Sequence, residues 1–225
     1  MPSENVENYL KRIYAIQLND GRVSTSSLSD KLQISPASVS EMIKRLADDG
    51  NVVYKPYKGV ELTEKGRKKA IRIIRRHRLW ELFLVKVLKY QWDEIHEEAE
   101  RLEHITSEKL EERLDEFLGY PSIDPHGDAI PTADGVVHDR DVVSLAETGA
   151  SIVVVRRVSD ENPEVLRYSS RLGIALKKQL RVKEKFQFDG SLRVDIEGRE
   201  HFISSKMAEN IFVEPVHLRK GKNDG

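Results

Sequence analysis

Ile34-Ser35-Pro36-Ala37-Ser38-Val39-Ser40-Glu41-Met42-Ile43-Lys44-Arg45-Leu46 is the stretch that decides the fold. Ser35 stands as an N-cap and Pro36 at the first helical position, where a missing N–H costs nothing. Val39, Ile43 and Leu46 then share one helical face, while Ala37, Ser38, Ser40, Glu41, Lys44 and Arg45 share the opposite one. The preceding Ser26 to Leu32 predicts a short helix with Leu28 and Leu32 inward, so two short helices meet at a tight turn. That pattern is a helix-turn-helix. Beyond it the period changes to two: Val52-Val53-Tyr54-Lys55 and Gly59-Val60-Glu61-Leu62, joined by Pro56-Tyr57-Lys58, predict a hairpin. The unit is therefore a winged helix. Small and hydroxylated residues at the start of the second helix suit a major groove. Candidate DNA contacts are Ser26, Ser35, Ala37, Ser38, Ser40, Lys44, Arg45, Lys55 and Lys58, most of them to phosphate oxygens.

Working outward, Val6, Tyr9, Leu10, Ile13 and Tyr14 recur at helical spacing from about residue 4 to 18, with Ser3 as N-cap and Asn19-Asp20-Gly21 as the stop. Thr63 opens a long helix running to about Lys89. Trp92 to His104, WDEIHEEAERLEH, reads as a further helix. Ser107 caps another, with Leu110, Leu114, Phe117 and Leu118 expected to be buried and Gly119-Tyr120-Pro121 as its end. Residues 121–135 are rich in Pro, Gly and Asp, hence a loop and a boundary. Short strands follow at Ser151 to Val158, Gln179 to Lys185, Leu192 to Ile196, His201 to Ile203 and Ile211 to Glu214, which suggests a small β-barrel. Lys220 to Gly225 reads as a frayed tail. The fold class is thus mainly α with a β C-terminal domain: a winged helix over 1–72, a helical metal-binding and dimerisation domain over 73–135, and the barrel over 145–217.

Charge is segregated along the 225 residues, although the net value is only -1. Residues 1–90 hold 18 Lys/Arg against 10 Asp/Glu, and residues 91–130 hold 3 against 13. A basic first segment calls for a polyanion, and an acidic second one for cations. The chain has no cysteine, which excludes disulfides and thiolate ligands. Without an apolar run long enough to span a bilayer, or a basic-then-apolar leader at Met1, the expectation is a cytoplasmic protein with no membrane partner.

In the WDEIHEEAERLEH helix, His96, Glu100, Glu103 and His104 stand at i, i+4, i+7 and i+8, along one stripe. His77 and Glu81 make an i, i+4 pair in the helix before it. Each set alone reads equally as a solvated polar face. Two consecutive helices each presenting His and Glu make a metal site the better reading, and imidazole with carboxylate but no sulfur leans toward Mn(II).

Several of these segments, in this order, resemble the diphtheria toxin repressor family of metal-dependent transcriptional repressors: Asn8-Tyr9-Leu10-Lys11, Pro36 to Met42, Lys55 to Val60, His77-Arg78-Leu79-Trp80-Glu81, Trp92 to His104 and Asp124-Pro125-His126-Gly127. The resemblance implies a homodimer that, loaded with metal, binds palindromic double-stranded operator DNA and represses metal-uptake genes. It implies that the barrel is of the Src-homology-3 type. It makes His77, Glu81 and His96 ligands of one ion, completed by Asp124, His126 and Asp160, and Glu100, Glu103 and His104 ligands of a second. Two ions per subunit follow, Mn(II) first and Fe(II) next, since Glu100 stands where the iron branch has Cys. Asn8 stands where the family has an Asp or Met ligand and is carried over as a ligand of the second ion through its neutral amide oxygen, and Lys11 stands where some manganese members have Glu. Two rivals remain: a repressor answering a small organic ligand, and a di-metal enzyme. The enzyme wants Glu-x-x-His on two helices, but Arg101 and Ile74 precede His104 and His77 by three, so the chain is expected not to be an enzyme.

Overall fold

Helix α1, Glu4–Asp20, opens the computed structural model, which describes residues 4–55, 59–138 and 141–216. The expected cap at Ser3, the hairpin tip with Lys58, and the Lys220 to Gly225 tail lie outside the described residues. Helix α2, Thr25–Leu32, starts on a reciprocal capping box between Ser24 and Ser27 and ends at Gln33 in the left-handed region. Helix α3, Pro36–Asp48, begins as the sequence predicts: the Ser35 hydroxyl accepts from the Ser38 N–H at 3.2 Å, with Pro36 behind it. Strands β1, Val52–Lys55, and β2, Gly59–Leu62, pair antiparallel with Val52 opposite Leu62. Gly59 has φ +90°, and a Cβ there would sit 2.1 Å from the Val23 carbonyl oxygen. That close approach lets Val60 N–H reach the same oxygen at 2.9 Å and seat the hairpin on the α1–α2 connection. Leu10, Ile13, Ile16, Val23, Leu28, Val39 and Leu46 are fully buried and form the core of this unit.

Helix α4 spans Glu64–Lys86, α5 Ile95–Ile105 and α6 Glu108–Leu118. Ser107 caps α6, and Gly119 closes it at φ +78°. The α4–α6 contact is ionic as well as apolar. Glu111, buried, accepts from Arg75 Nε at 3.2 Å and Arg76 Nε at 2.8 Å, and Arg75 also reaches Asp115 and the Pro131 carbonyl at 2.6 Å each.

Three expectations need correction. The long helix stops at Lys86 rather than Lys89, where Lys89 turns to φ +62°. The next helix starts at Ile95 rather than Trp92: the Trp92 indole donates to Ser170 Oγ at 2.7 Å and Asp93 pairs with Arg167 at 3.0 Å, so tertiary partners hold these residues in a turn. Of the apolar residues of α6 only Leu114 is buried, while Leu110 and Phe117 are 44% and 65% exposed, because Glu111 and Leu114 form the inward face.

The C-terminal part is a six-stranded antiparallel sheet in the order β3-β8-β4-β5-β6-β7. Its strands are β3, Val143–Ser144, β4, Ile152–Val158, β5, Gln179–Lys185, β6, Leu192–Ile196, β7, Arg199–Ile203, and β8, Ile211–Pro215. Alternate residues Val153 and Val155, Leu192, Val194 and Ile196, and Ile211 and Val213 point inward and are buried, as a one-sided sheet requires. Register shifts after Val155 and Val182 bend it. Strand β3, helix α7, Pro163–Leu172, and the short α8, Ser205–Ala208, add to the elements expected from the sequence. By contact density the chain divides into Met1–Trp80, Ala99–Ser122 and Ile130–His138 on one hand, and Glu81–Glu98, Ile123–Ala129 and Asp139–Gly225 on the other.

Candidate metal centre

A short loop organises the site in the second unit. Asp124 Oδ1 accepts the backbone N–H groups of His126, Gly127 and Asp128 at 2.8, 2.9 and 2.9 Å, which folds the chain tightly around one carboxylate oxygen. Gly127, at φ +98°, lies so close to β4 that a Cβ would stand 2.0 Å from the Arg156 carbonyl oxygen. The His126 carbonyl takes the Val158 N–H at 2.9 Å. The loop is thus stitched to the end of β4, and Asp160 follows two residues later.

His126 is completely buried. Its Nε2–H donates to the Trp92 carbonyl at 2.8 Å, and its ring lies 5.9 Å from the indole. The other nitrogen, Nδ1, has no hydrogen-bond partner among the described residues and faces Glu81 Oε2 at 3.8 Å and Asp160 Oδ2 at 4.0 Å. His96 Nδ1 lies 3.6 Å from Glu81 Oε1 and 3.9 Å from Asp160 Oδ2. Donors each about 2.0–2.2 Å from one ion stand at most about 4.4 Å apart, so these gaps fit a bound ion and exceed direct hydrogen bonds. Glu81 with His96 and Asp160, and Glu81 with Asp124 and His126, form two overlapping clusters whose donor atoms lie within 4.8 Å of one another. An imidazole that spends one nitrogen on a backbone carbonyl and turns the other toward carboxylates has the orientation of a metal ligand. Burial opposes charge on His126, but Glu81, Asp124 and Asp160, with the Trp92 carbonyl, outweigh it and raise its pKa.

The structure therefore brings Glu81, His96, Asp124, His126 and Asp160 together. His77 sits one turn before Glu81 on α4, where its Nδ1 is 2.5 Å from Glu103 Oε2.

The other expected set behaves differently. Glu103 is fully buried in the first unit, and Lys11 from α1 donates to its Oε1 at 2.7 Å and reaches Glu100 Oε1 at 3.5 Å. His104 Nδ1 bonds Glu7 Oε2 at 2.6 Å. Burial pushes the Glu103 carboxyl up, but His77 and Lys11 outweigh it and hold the group below its ordinary value. Asn8 Oδ1 and His104 Nε2 are buried without hydrogen-bond partners among the described residues. The Lys11 ammonium thus stands at the Glu103 and Glu100 carboxylates that the resemblance assigns to a second ion. Glu7 and the Trp92 carbonyl escaped the sequence reading. Glu7 shares a helical face with Lys11, one turn on, and that spacing was the available signal.

On the winged helix, Ser26, Ser35, Ala37, Ser38, Ser40, Lys44, Arg45 and Lys55 are all exposed. Several are already engaged locally: Ser26 with Ser24, Ser38 with Ser35, Ser40 with the Pro36 carbonyl, and Lys55 with Glu61 across the hairpin. Ala37, Lys44 and Arg45 leave an open, basic face on α3.

The comparisons with known proteins agree with this layout. Residues 1–60 match the model described as iron dependent repressor, N-terminal DNA binding domain; 63–132 match iron dependent repressor, metal binding and dimerisation domain; and 143–215 match the FeoA domain. The chain is 32% identical over 228 residues to the iron-dependent repressor IdeR of Mycobacterium tuberculosis, covering 95% of this chain and 98% of that one. It is 32% identical over 118 residues to the transcriptional regulator MntR of Lysinibacillus sphaericus, covering 52% and 84%. Among solved structures, a manganese-dependent transcriptional repressor in complex with manganese superposes with a TM-score of 0.87 at 40% identity, covering 94% of this chain and 100% of that one. Among the described residues no helix is long and apolar enough to cross a membrane.

Proposed function

The chain belongs to the diphtheria toxin repressor family of metal-dependent, DNA-binding transcriptional repressors, not enzymes, and we propose that its effector is Mn(II) held by Glu81, His96, His126 and Asp160. The observation that carries this is His126: fully buried, committed at Nε2 to the Trp92 carbonyl, and open at Nδ1 toward two carboxylates. Carboxylates and imidazoles without sulfur favour Mn(II), with Fe(II) next. His77 stands one turn before Glu81 on the same helix, with its Nδ1 engaged by Glu103. Asp124 has a different role: with one oxygen already holding three N–H groups, it shapes the loop that presents His126.

The ion supplies positive charge that the carboxylates otherwise lack in common, and it selects whichever state of the repressor gathers these ligands. Linkage then raises DNA affinity by the ratio of metal affinities in the two states. The exposed Leu110 and Phe117, with Ile105 at 76% exposure, supply an apolar face for a homodimer. Such a dimer presents two α3 helices to a palindromic operator, at half-sites about 34 Å apart or a multiple of it. Metal-uptake genes are the targets this logic favours, since repression by loaded protein closes a feedback loop. The second ion per subunit is not part of this reading, because Lys11 already stands at Glu100 and Glu103.

The test selects genomic fragments with the full chain, then measures affinity for the selected DNA with and without Mn(II). Mn(II) should tighten binding in the parent and not in Glu81→Gln. Equal affinity with and without metal sinks the proposal. If Mn(II) raises the melting temperature of neither protein, the rival reading of an organic effector gains.

A further inference from the structure

We propose that the Lys11 ammonium is a built-in replacement for a second regulatory ion, so that the chain loads one metal ion per subunit and holds α1 to α5 through a cation that never leaves. The stoichiometry rests on the Glu81 site proposed above; the role of Lys11 does not.

Lys11 lies three residues after Asn8 and four after Glu7, so all three occupy one face of α1. Its side chain is 19% exposed, and its Nζ stands 2.7 Å from a carboxylate that is fully buried. The other oxygen of that carboxylate is held by His77 Nδ1 at 2.5 Å. Both Glu103 oxygens are thus occupied by groups of this unit, and Glu100 is drawn to the same ammonium at 3.5 Å. A divalent ion bound to Glu100 and Glu103 would have to expel the ammonium, leaving a lysine charge against the ion that displaced it. Like charges at such range are strongly unfavourable where water is scarce. Lysine also carries no lone pair when charged, so it competes with a metal and cannot join it as a ligand.

A second observation shows that the cradle retains donors a cation can use. His104, with its side chain 8% exposed, keeps Nε2 without a hydrogen-bond partner, 3.4 Å from Glu103 Oε1, while its Nδ1 is oriented by Glu7. Asn8 Oδ1 is likewise buried and unpartnered. Taking away the ammonium and placing a carboxylate at position 11 leaves Glu100, Glu103, His104 and Asn8 with an acid beside them. That set is one a divalent ion fills.

The experiment is equilibrium dialysis of the full chain against Mn(II), with metal counted per chain by elemental analysis. The parent should hold one ion, Glu81→Gln none, and Lys11→Glu two. The double variant Lys11→Glu, Glu103→Gln should return to one. Two ions in the parent overturn the proposal, and so does a folded Lys11→Glu that stays at one. Zero in the parent with one in Lys11→Glu would refute the Glu81 site and support the lysine. If Lys11→Glu does not fold, judged by far-ultraviolet dichroism, Lys11→Met keeps the apolar stem without the charge. It should then gain a second, weaker binding step, and its absence in a folded protein overturns the proposal.

Discussion

His126 should exchange one proton for one metal ion, and the count can be measured. Its Nε2–H is committed to the Trp92 carbonyl at 2.8 Å, so Nδ1 is the atom that titrates. Burial opposes the imidazolium, yet Glu81, Asp124 and Asp160 prevail and raise the pKa above the ordinary value of about 6.5. In the metal-free chain a raised imidazole pKa contributes stability that is fully present below about pH 6.5 and is lost as pH rises through the folded-state value. Metal loading has the opposite sign, because the ion needs the Nδ1 lone pair. Below the folded-state pKa each bound ion must expel that proton, which weakens binding about tenfold, or about 1.4 kcal/mol, per pH unit. The perturbation is His126→Asn, which keeps an oxygen donor and removes the titration. Titration calorimetry at about pH 6, in buffers of different protonation enthalpy, counts protons released per Mn(II). The parent should release one more proton than the variant. Its metal-free melting temperature should also fall relative to the variant between about pH 6 and about pH 8. Equal proton counts in the two proteins would refute the assignment of Nδ1 as a ligand.

Three other substitutions probe separate parts of the chain. Glu111→Ala leaves the guanidinium of Arg76 buried without this partner, while Arg75 keeps Asp115, so urea unfolding should show a loss of about 3 kcal/mol, the low end for breaking a buried ion pair; a loss below about 1 kcal/mol would place the network on the solvated side. Gly127→Ala drives a Cβ against the Arg156 carbonyl and must shift the His126 loop, lowering Mn(II) affinity roughly tenfold or more while helical dichroism is retained; unchanged affinity would show that the loop does not present a ligand. Lys44→Ala should weaken binding to all operator sequences alike and reduce the salt slope of log affinity by about 0.9, and a sequence-selective loss would make it a base reader instead.

The winged helix was legible because its signals are local. Ser35-Pro36 sets a helix start by hydrogen bonding and ring geometry alone, and the period change at Val52 needs no distant partner. The candidate ligands on helices were legible for the same reason: His77 and Glu81 show their spacing in the sequence. Trp92 misled the reading because a distant residue, Ser170, draws it out of the helical pattern. Helix α7 carries local signals of the same kind: Asn162 caps it, Pro163 takes its first position and Gly173 ends it at φ +76°. The exposure of Leu110 and Phe117 could not be read, since apolar spacing says which residues seek cover and not whether the same chain provides it. His126 was available only through family resemblance. Its role depends on a loop conformation that three N–H contacts to Asp124 create, and no periodicity reports such a contact.

The lysine at position 11 bears on how strongly metal can switch this repressor. Moving a two-state equilibrium from 1:99 to 99:1 takes about 5.5 kcal/mol of differential binding, however many ions supply it. Two ions per subunit would share that requirement, whereas one must meet it alone or switch less completely. In the cradle of Glu100 and Glu103, a tethered ammonium binds at every metal concentration, so its contribution stabilises the α1–α5 contact without varying with the signal. A constant term can set the baseline of the equilibrium, yet it cannot respond to metal. If Lys11 replaces an exchangeable ion as proposed, the whole metal dependence rests on the proposed site of Glu81, His96, His126 and Asp160, and the affinity of that one site fixes the threshold for repression.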